Sequence, residues 1–200
     1  MTHKQRWQEL WQVLRLNPGE DALPELLARH AEPHRAYHTL MHLDECFALL
    51  DAHRAAARRP AWIELAIWFH DAVYDPRAKD NEQQSAALAV GALEHAGAVA
   101  EVVAGIEQLI LATRHDAISD DPDARLLTDI DLAILAAPDD RFWEYERQIR
   151  REYAWVPEPE YRAARSEVLR RFLERPSIYL TRKFAAGCES RARSNLAASI

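Results

Sequence analysis

The chain has 200 residues, 48% of them hydrophobic and 28% charged, with a formal net charge of −7. That length and balance suit one globular domain with a sizeable core, and the excess of acid argues against a nucleic-acid binder. No apolar run approaches the roughly 20 residues of a membrane span, and the start, MTHKQRWQELWQ, lacks the apolar stretch of a signal peptide.

Five glycines beside abundant Ala, Leu, Glu and Arg favour helices over strands. Cys46 and Cys188 form no pattern, which fits a reducing, cytoplasmic setting rather than a disulfide framework or a zinc finger. The charge is uneven. Residues 1–140 carry 12 Lys and Arg against 24 Asp and Glu, whereas residues 141–200 carry 13 against 8. An acidic body with an Arg-rich C-terminal third is compatible with a metal site facing a phosphate-binding wall, and equally with amphipathic helices whose wet faces carry Arg.

In chain order, Trp7, Leu10, Trp11 and Leu14 share one helical face, and Asn17-Pro18-Gly19 stops that helix. A short helix spans Asp21–His30. Pro33 then interrupts, and the next helix starts near Thr39 and runs through Leu43, Phe47 and Leu50 to the break at Arg58–Pro60. The stretch 61–74, AWIELAIWFHDAVY, is apolar on nearly every side and reads as a buried helix. Asp80 or Asn81 caps a helix from about Glu82 to His95, and another spans Ala98 to about Thr113. RHDAISDDPDA reads as a polar surface loop. Helices follow over Arg125–Leu135 and about 140–153, 158–174 and 178–198. No period-2 run is present, so the expected fold is all-α: a single helical domain over 1–200, with its core at about 32–136 and Arg-rich helices at about 140–198.

Polar residues interrupt the apolar helices at His38 and His42, at His70-Asp71, and at Asp129 and Asp131. A lone His-Asp pair is explained by a core histidine bonded to a carbonyl, with the aspartate as a helix-end charge. Three separate interruptions point instead to a site, because a buried ionisable group needs hydrogen bonds, an ion pair or a metal. Imidazole and carboxylate together suit a divalent ion such as Mn, Fe, Co, Ni, Zn or Mg.

The order His, His-Asp about 28 residues on, then Asp about 60 residues further resembles the HD-domain superfamily of metal-dependent phosphohydrolases. The phrases EPHRAYHTLMH, LAIWFHDAVYD, DNEQQSA, LLTDIDLAIL, IRREYAWVP and ESRARSNL, from Glu32 to Leu196, resemble one branch, the small bacterial predicted HD phosphohydrolases. The resemblance implies metal ligands His42, His70, Asp71 and Asp131. Asp131 fits the last position better than Asp129, which would hold a ligand histidine in place. It also implies hydrolysis of a small phosphorylated molecule, a nucleotide or phosphomonoester, by metal-activated water. Asp71, Asp75 and Glu82 are the expected catalytic carboxylates. Asp75 coincides with an acidic position of the guanosine tetraphosphate-hydrolysing HD enzymes, while Tyr74 replaces their preceding glutamate. Arg35, His38, Arg114, His115 and Arg150 are the expected substrate contacts, with Arg35 the leading phosphate ligand. The alternatives are a non-catalytic nucleotide or metal sensor, and an HD-type di-iron oxygenase that would need His95 and His115 to converge on the core ligands. Trp143, Tyr145 and Trp155 mark a candidate homodimer face.

Overall fold

A computed structural model describes all residues, Met1–Ile200, and contains ten α-helices and no strand. The expectation of an all-α fold is met. No helix is long and apolar enough to cross a membrane. The chain divides into two compact units, Met1–Leu127 and Thr128–Ile200.

The first unit contains α1 (His3–Leu14), α2 (Ala22–Arg29), α3 (Leu40–His53), α4 (Pro60–Phe69), α5 (Asn81–His95) and α6 (Ala100–Ala112). α7 (Pro122–Asp131) begins in it, and the division falls within that helix. Thr2 starts α1 with a reciprocal capping box to Gln5, and Thr39 starts α3 by accepting from the Met41 amide. α1 ends at Arg15 in a left-handed conformation, two residues before Asn17.

α4 is the hub and packs on α1, α3, α5 and α6. Ile63 and every residue from Leu65 to Phe69 are buried, as a sequence apolar on nearly every side requires. Trp68 meets Trp7 edge-on at 5.3 Å and Phe47 at 4.8 Å between ring centroids. Burying such aromatic side chains is among the largest single contributions a core receives. Arg6 joins α1 to this core by ion pairs with Glu64 and Asp51, its guanidinium lying over Phe47.

The N-terminus of α4 has no side-chain cap of its own. The buried carboxylate of Asp123, in the first turn of α7, instead accepts from the amides of Arg58 (2.7 Å) and Arg59 (2.9 Å) and from Arg59 Nε. The N-cap amide of Arg59 and the amide just before it are thereby paired.

The second unit contains the end of α7, a 3-10 turn over Leu132–Ala136, α8 (Asp139–Glu152), α9 (Glu158–Glu174) and α10 (Arg182–Ser199). Phe142, Leu169, Ile178, Tyr179 and Leu196 form its core. Asn195 donates to the carbonyls of Leu135 and Ala137, and Tyr179 donates to that of Leu132. α10 starts at Arg182, later than the expected 178, because Ile178 to Thr181 are held by carboxylates. Glu189 accepts from the amides of Ile178 and Tyr179, and Asp129 from those of Leu180 and Thr181. Trp143 and Trp155 are exposed, but Tyr145 is buried and its hydroxyl accepts from Arg165. The three aromatics expected to share a face do not all reach the surface.

Candidate metal centre

His42 lies in the first turn of α3, where the extended Thr39 cap sets the helix start, and its ring is buried. His70 and Asp71 follow Phe69. The expected helix 61–74 stops at this point, and the chain enters a turn. Ser85 and Asn81 of α5 hold the turn. The Ser85 hydroxyl bonds both the amide (3.0 Å) and the carbonyl (3.2 Å) of Val73. The Asn81 side-chain amide accepts from the Asp75 amide at 3.0 Å and donates to its carbonyl at 2.9 Å. Two polar side chains of DNEQQSA therefore replace the helical bonds that the chain gives up after Phe69.

The Nε2 atoms of His42 and His70 are 3.1 Å apart. Asp71 Oδ2 lies 3.1 Å from His70 Nε2 and 3.6 Å from His42 Nε2. His70 Nδ1 is 2.9 Å from the Ile67 carbonyl. A carbonyl only accepts, so Nδ1 carries a proton; Nε2 then presents a lone pair to the cluster when the ring is neutral and donates to Asp71 when it is protonated. Metal–ligand bonds of about 2.1 Å place neighbouring octahedral ligands about 3.0 Å apart. The three donors fit that spacing, and their mixed imidazole and carboxylate chemistry suits a divalent ion. His42 and His70 belong to a His/Asp group that could hold a metal ion.

Burial opposes ionisation of Asp71, but the imidazoles of His70, His38 and His42 and the His70 hydrogen bond outweigh it. They hold the carboxyl below the ordinary carboxylate range. Its side chain keeps 18% exposure, an opening toward solvent that both ligand histidines lack. His38 stands beside the group, stacked on Tyr74 at 4.1 Å and edge-on to Tyr37 at 5.0 Å.

The expected phosphate ligand Arg35 requires correction. Its side chain is fully buried. Nε donates to Glu32 Oε2, Nη1 to the carbonyls of His38 (3.1 Å) and Asp71 (2.7 Å), and Nη2 to that of Ala72 (3.1 Å). A guanidinium enclosed this way faces protein carbonyls and not a substrate.

Arg150, in the second unit, is likewise engaged. It donates to Glu158 and to the carbonyls of Tyr153 and Val156, closing the turn between α8 and α9. Arg114 is exposed and paired with Asp116 at 2.8 Å. His115 follows α6 in a left-handed conformation, and His95 is exposed at the end of α5. The convergence of His95 that a di-iron site would need is not observed. Asp75 is exposed and its carboxylate accepts from the Arg77 amide at 2.9 Å, whereas Glu82 is half-buried in the first turn of α5.

Asp129 does not hold a ligand histidine. Oδ1 accepts from the Leu180 amide at 2.7 Å, and Oδ2 from the amide and hydroxyl of Thr181 at 2.7 and 2.6 Å. Asp131 ends α7, half-buried, in the second unit.

Two neighbours escaped the sequence reading. Cys46 Sγ approaches the His42 ring at 3.8 Å, one helical turn further along α3. His30, directly after α2, is buried with Nε2 3.5 Å from the Trp68 carbonyl. It is a further histidine ending an apolar helix, the same signal that exposed His70.

Comparison of the chain with protein-family models, with curated proteins and with solved structures finds no match in any of the three.

Proposed function

We propose that the protein is a metal-dependent phosphohydrolase of the HD type, acting on a small phosphorylated molecule such as a nucleotide or phosphomonoester. The observation that carries the reading is the convergence of His42 Nε2, His70 Nε2 and Asp71 Oδ2 within 3.1–3.6 Å. The order of the histidines and aspartates along the chain, which resembles that superfamily, supports it.

Asp131 is the fourth ligand we propose, on the order of histidines and aspartates that the resemblance implies. It is favoured over Asp129 because both oxygens of Asp129 anchor Leu180 and Thr181. A divalent ion held by this set supplies a nucleophile from water near neutral pH and stabilises charge on phosphoryl oxygens. The chain's own contributions are distinct from that. The Ile67 carbonyl fixes a proton on His70 Nδ1 and so leaves Nε2 as the atom available to a metal, and the surrounding imidazoles favour the ionised form of Asp71. Glu82 is the retained candidate for general acid or base, since Asp75 stabilises a surface turn.

The test is phosphate release from a panel of nucleotides and sugar phosphates, with Mn, Co, Ni, Mg or Zn added, for wild type and Asp71→Ala. Metal-dependent turnover that vanishes in the variant, with helical circular dichroism retained, is the expected result. Equal background rates for both proteins across the panel would refute the reading.

A further inference from the structure

We infer that Arg35 is a positioning residue for the metal centre. Its guanidinium clamps the turn bearing His70 and Asp71 to the segment that leads into the His42 helix, and it does not meet substrate. The inference rests on the metal-site reading above.

Arg35 Nη1 bridges two chain segments, donating to the His38 carbonyl on one side and the Asp71 carbonyl on the other. Nη2 extends the clamp to Ala72. These carbonyls belong to one candidate ligand, to the residue after it, and to the histidine one turn before His42. The clamp therefore acts on the geometry of the donors and leaves their chemistry alone.

Leaving the helix at Phe69 frees carbonyls from the helical pattern. Inside the protein they need donors, and a cation near a helix C-terminus is favoured by the peptide dipoles. Arginine alone provides a planar fork able to reach several acceptors at once; lysine offers one compact ammonium. Glu32 on Nε and the Tyr74 ring 5.4 Å from the guanidinium carbon fix the fork's orientation. Removing a group that orients metal ligands typically weakens metal affinity about 10- to 100-fold.

The experiment titrates Mn(II) and Co(II) into purified full-length wild type, Arg35→Ala, Arg35→Lys and Arg6→Ala. Affinity is read by calorimetry, donor geometry by the visible spectrum of Co(II), and folding by circular dichroism. Arg6→Ala is the control, because it removes another buried arginine of the same unit with no contact to the ligands. The expected result is a Kd raised about 10- to 100-fold in Arg35→Ala with an altered Co(II) spectrum. Arg35→Lys should fall between, and millimolar guanidinium should restore part of the affinity of Arg35→Ala alone. Arg6→Ala should melt earlier yet bind as wild type does. If Arg35→Ala does not fold, Arg35→Lys and Arg35→Gln carry the comparison. Folded Arg35 variants with wild-type affinity and spectrum would overturn this inference alone. A wild-type protein that binds neither ion would overturn the metal-site reading itself.

Discussion

His30 makes the stability of this protein pH-dependent in a way that can be calculated. Burial disfavours its charged form, and Arg35 adds to that effect. The nearby Asp71 opposes it, His70 reinforces it, and the Trp68 carbonyl opposes it weakly, leaving the imidazole pKa lowered to about 4. Above the unfolded value of 6.5 the imidazole is neutral in both states, and its contribution to stability is fully present. As pH falls below 6.5 the unfolded chain binds a proton that the folded protein refuses, so stability declines until the folded pKa is reached. Between pH 7 and pH 5 the two binding curves differ by about 2 kcal/mol, and the loss approaches about 3 kcal/mol near pH 4. The assay is urea unfolding followed at 222 nm, at pH 7 and pH 5, for wild type and His30→Leu. Titrating groups remote from His30 affect both proteins alike, so the difference between the two pH responses reports His30 and its coupling to Asp71 and His70. Wild type should lose about 2 kcal/mol more than the variant on acidification. Parallel pH responses, agreeing within about 0.5 kcal/mol, would refute the assignment of a buried neutral imidazole.

Two further predictions concern α4 and its neighbours. Asp123→Ala leaves the Arg58 and Arg59 amides without their acceptor and should cost about 3 kcal/mol in urea unfolding; a loss under about 1 kcal/mol would show that water replaces the carboxylate without penalty. Two glycine substitutions should act in opposite directions. A Cβ at Gly105 would overlap the ring of Trp62, which is held against the Arg59 guanidinium, so Gly105→Ala should destabilise by about 1–3 kcal/mol. At Gly91 in α5 a Cβ meets nothing within 4 Å, and Gly91→Ala should stabilise by about 1 kcal/mol. Thermal melts of the two variants moving in the same direction would contradict that pairing.

The helices were legible because their apolar residues repeat at helical spacing, and Trp7, Leu10, Trp11, Leu43, Phe47 and Leu50 are all buried as that pattern requires. Helix ends were legible only where a local device sets them, as Thr39 does for α3. Where a distant residue decides the end, local pattern misleads. Residues 72–74 look as apolar as the helix before them, yet Ser85 and Arg35 draw the backbone of Val73 and Ala72 out of it. Residues 178–181 have helix-compatible side chains, yet Glu189 and Asp129 take their amides. In both cases a buried side chain competes for backbone groups that a helix would otherwise use.

The candidate site divides along the same line. His42, His70 and Asp71 stood out because a polar group inside an apolar helix is costly and needs a reason. Arg35 stood out for its charge, but charge does not disclose what a guanidinium faces, and in the structure it faces carbonyls. Asp123 was hidden among the acids of a stretch that looks like surface loop, although its side chain is fully buried. Its role follows from an accounting of donors. α4 begins with Pro60 in its first turn and without a local side-chain acceptor, so the amides that precede it must be paired from elsewhere if they are buried. The sequence around Pro60 therefore calls for an outside acceptor. Only the folding of α7 against that end identifies it as Asp123, which fixes the start of the helix whose other end carries His70.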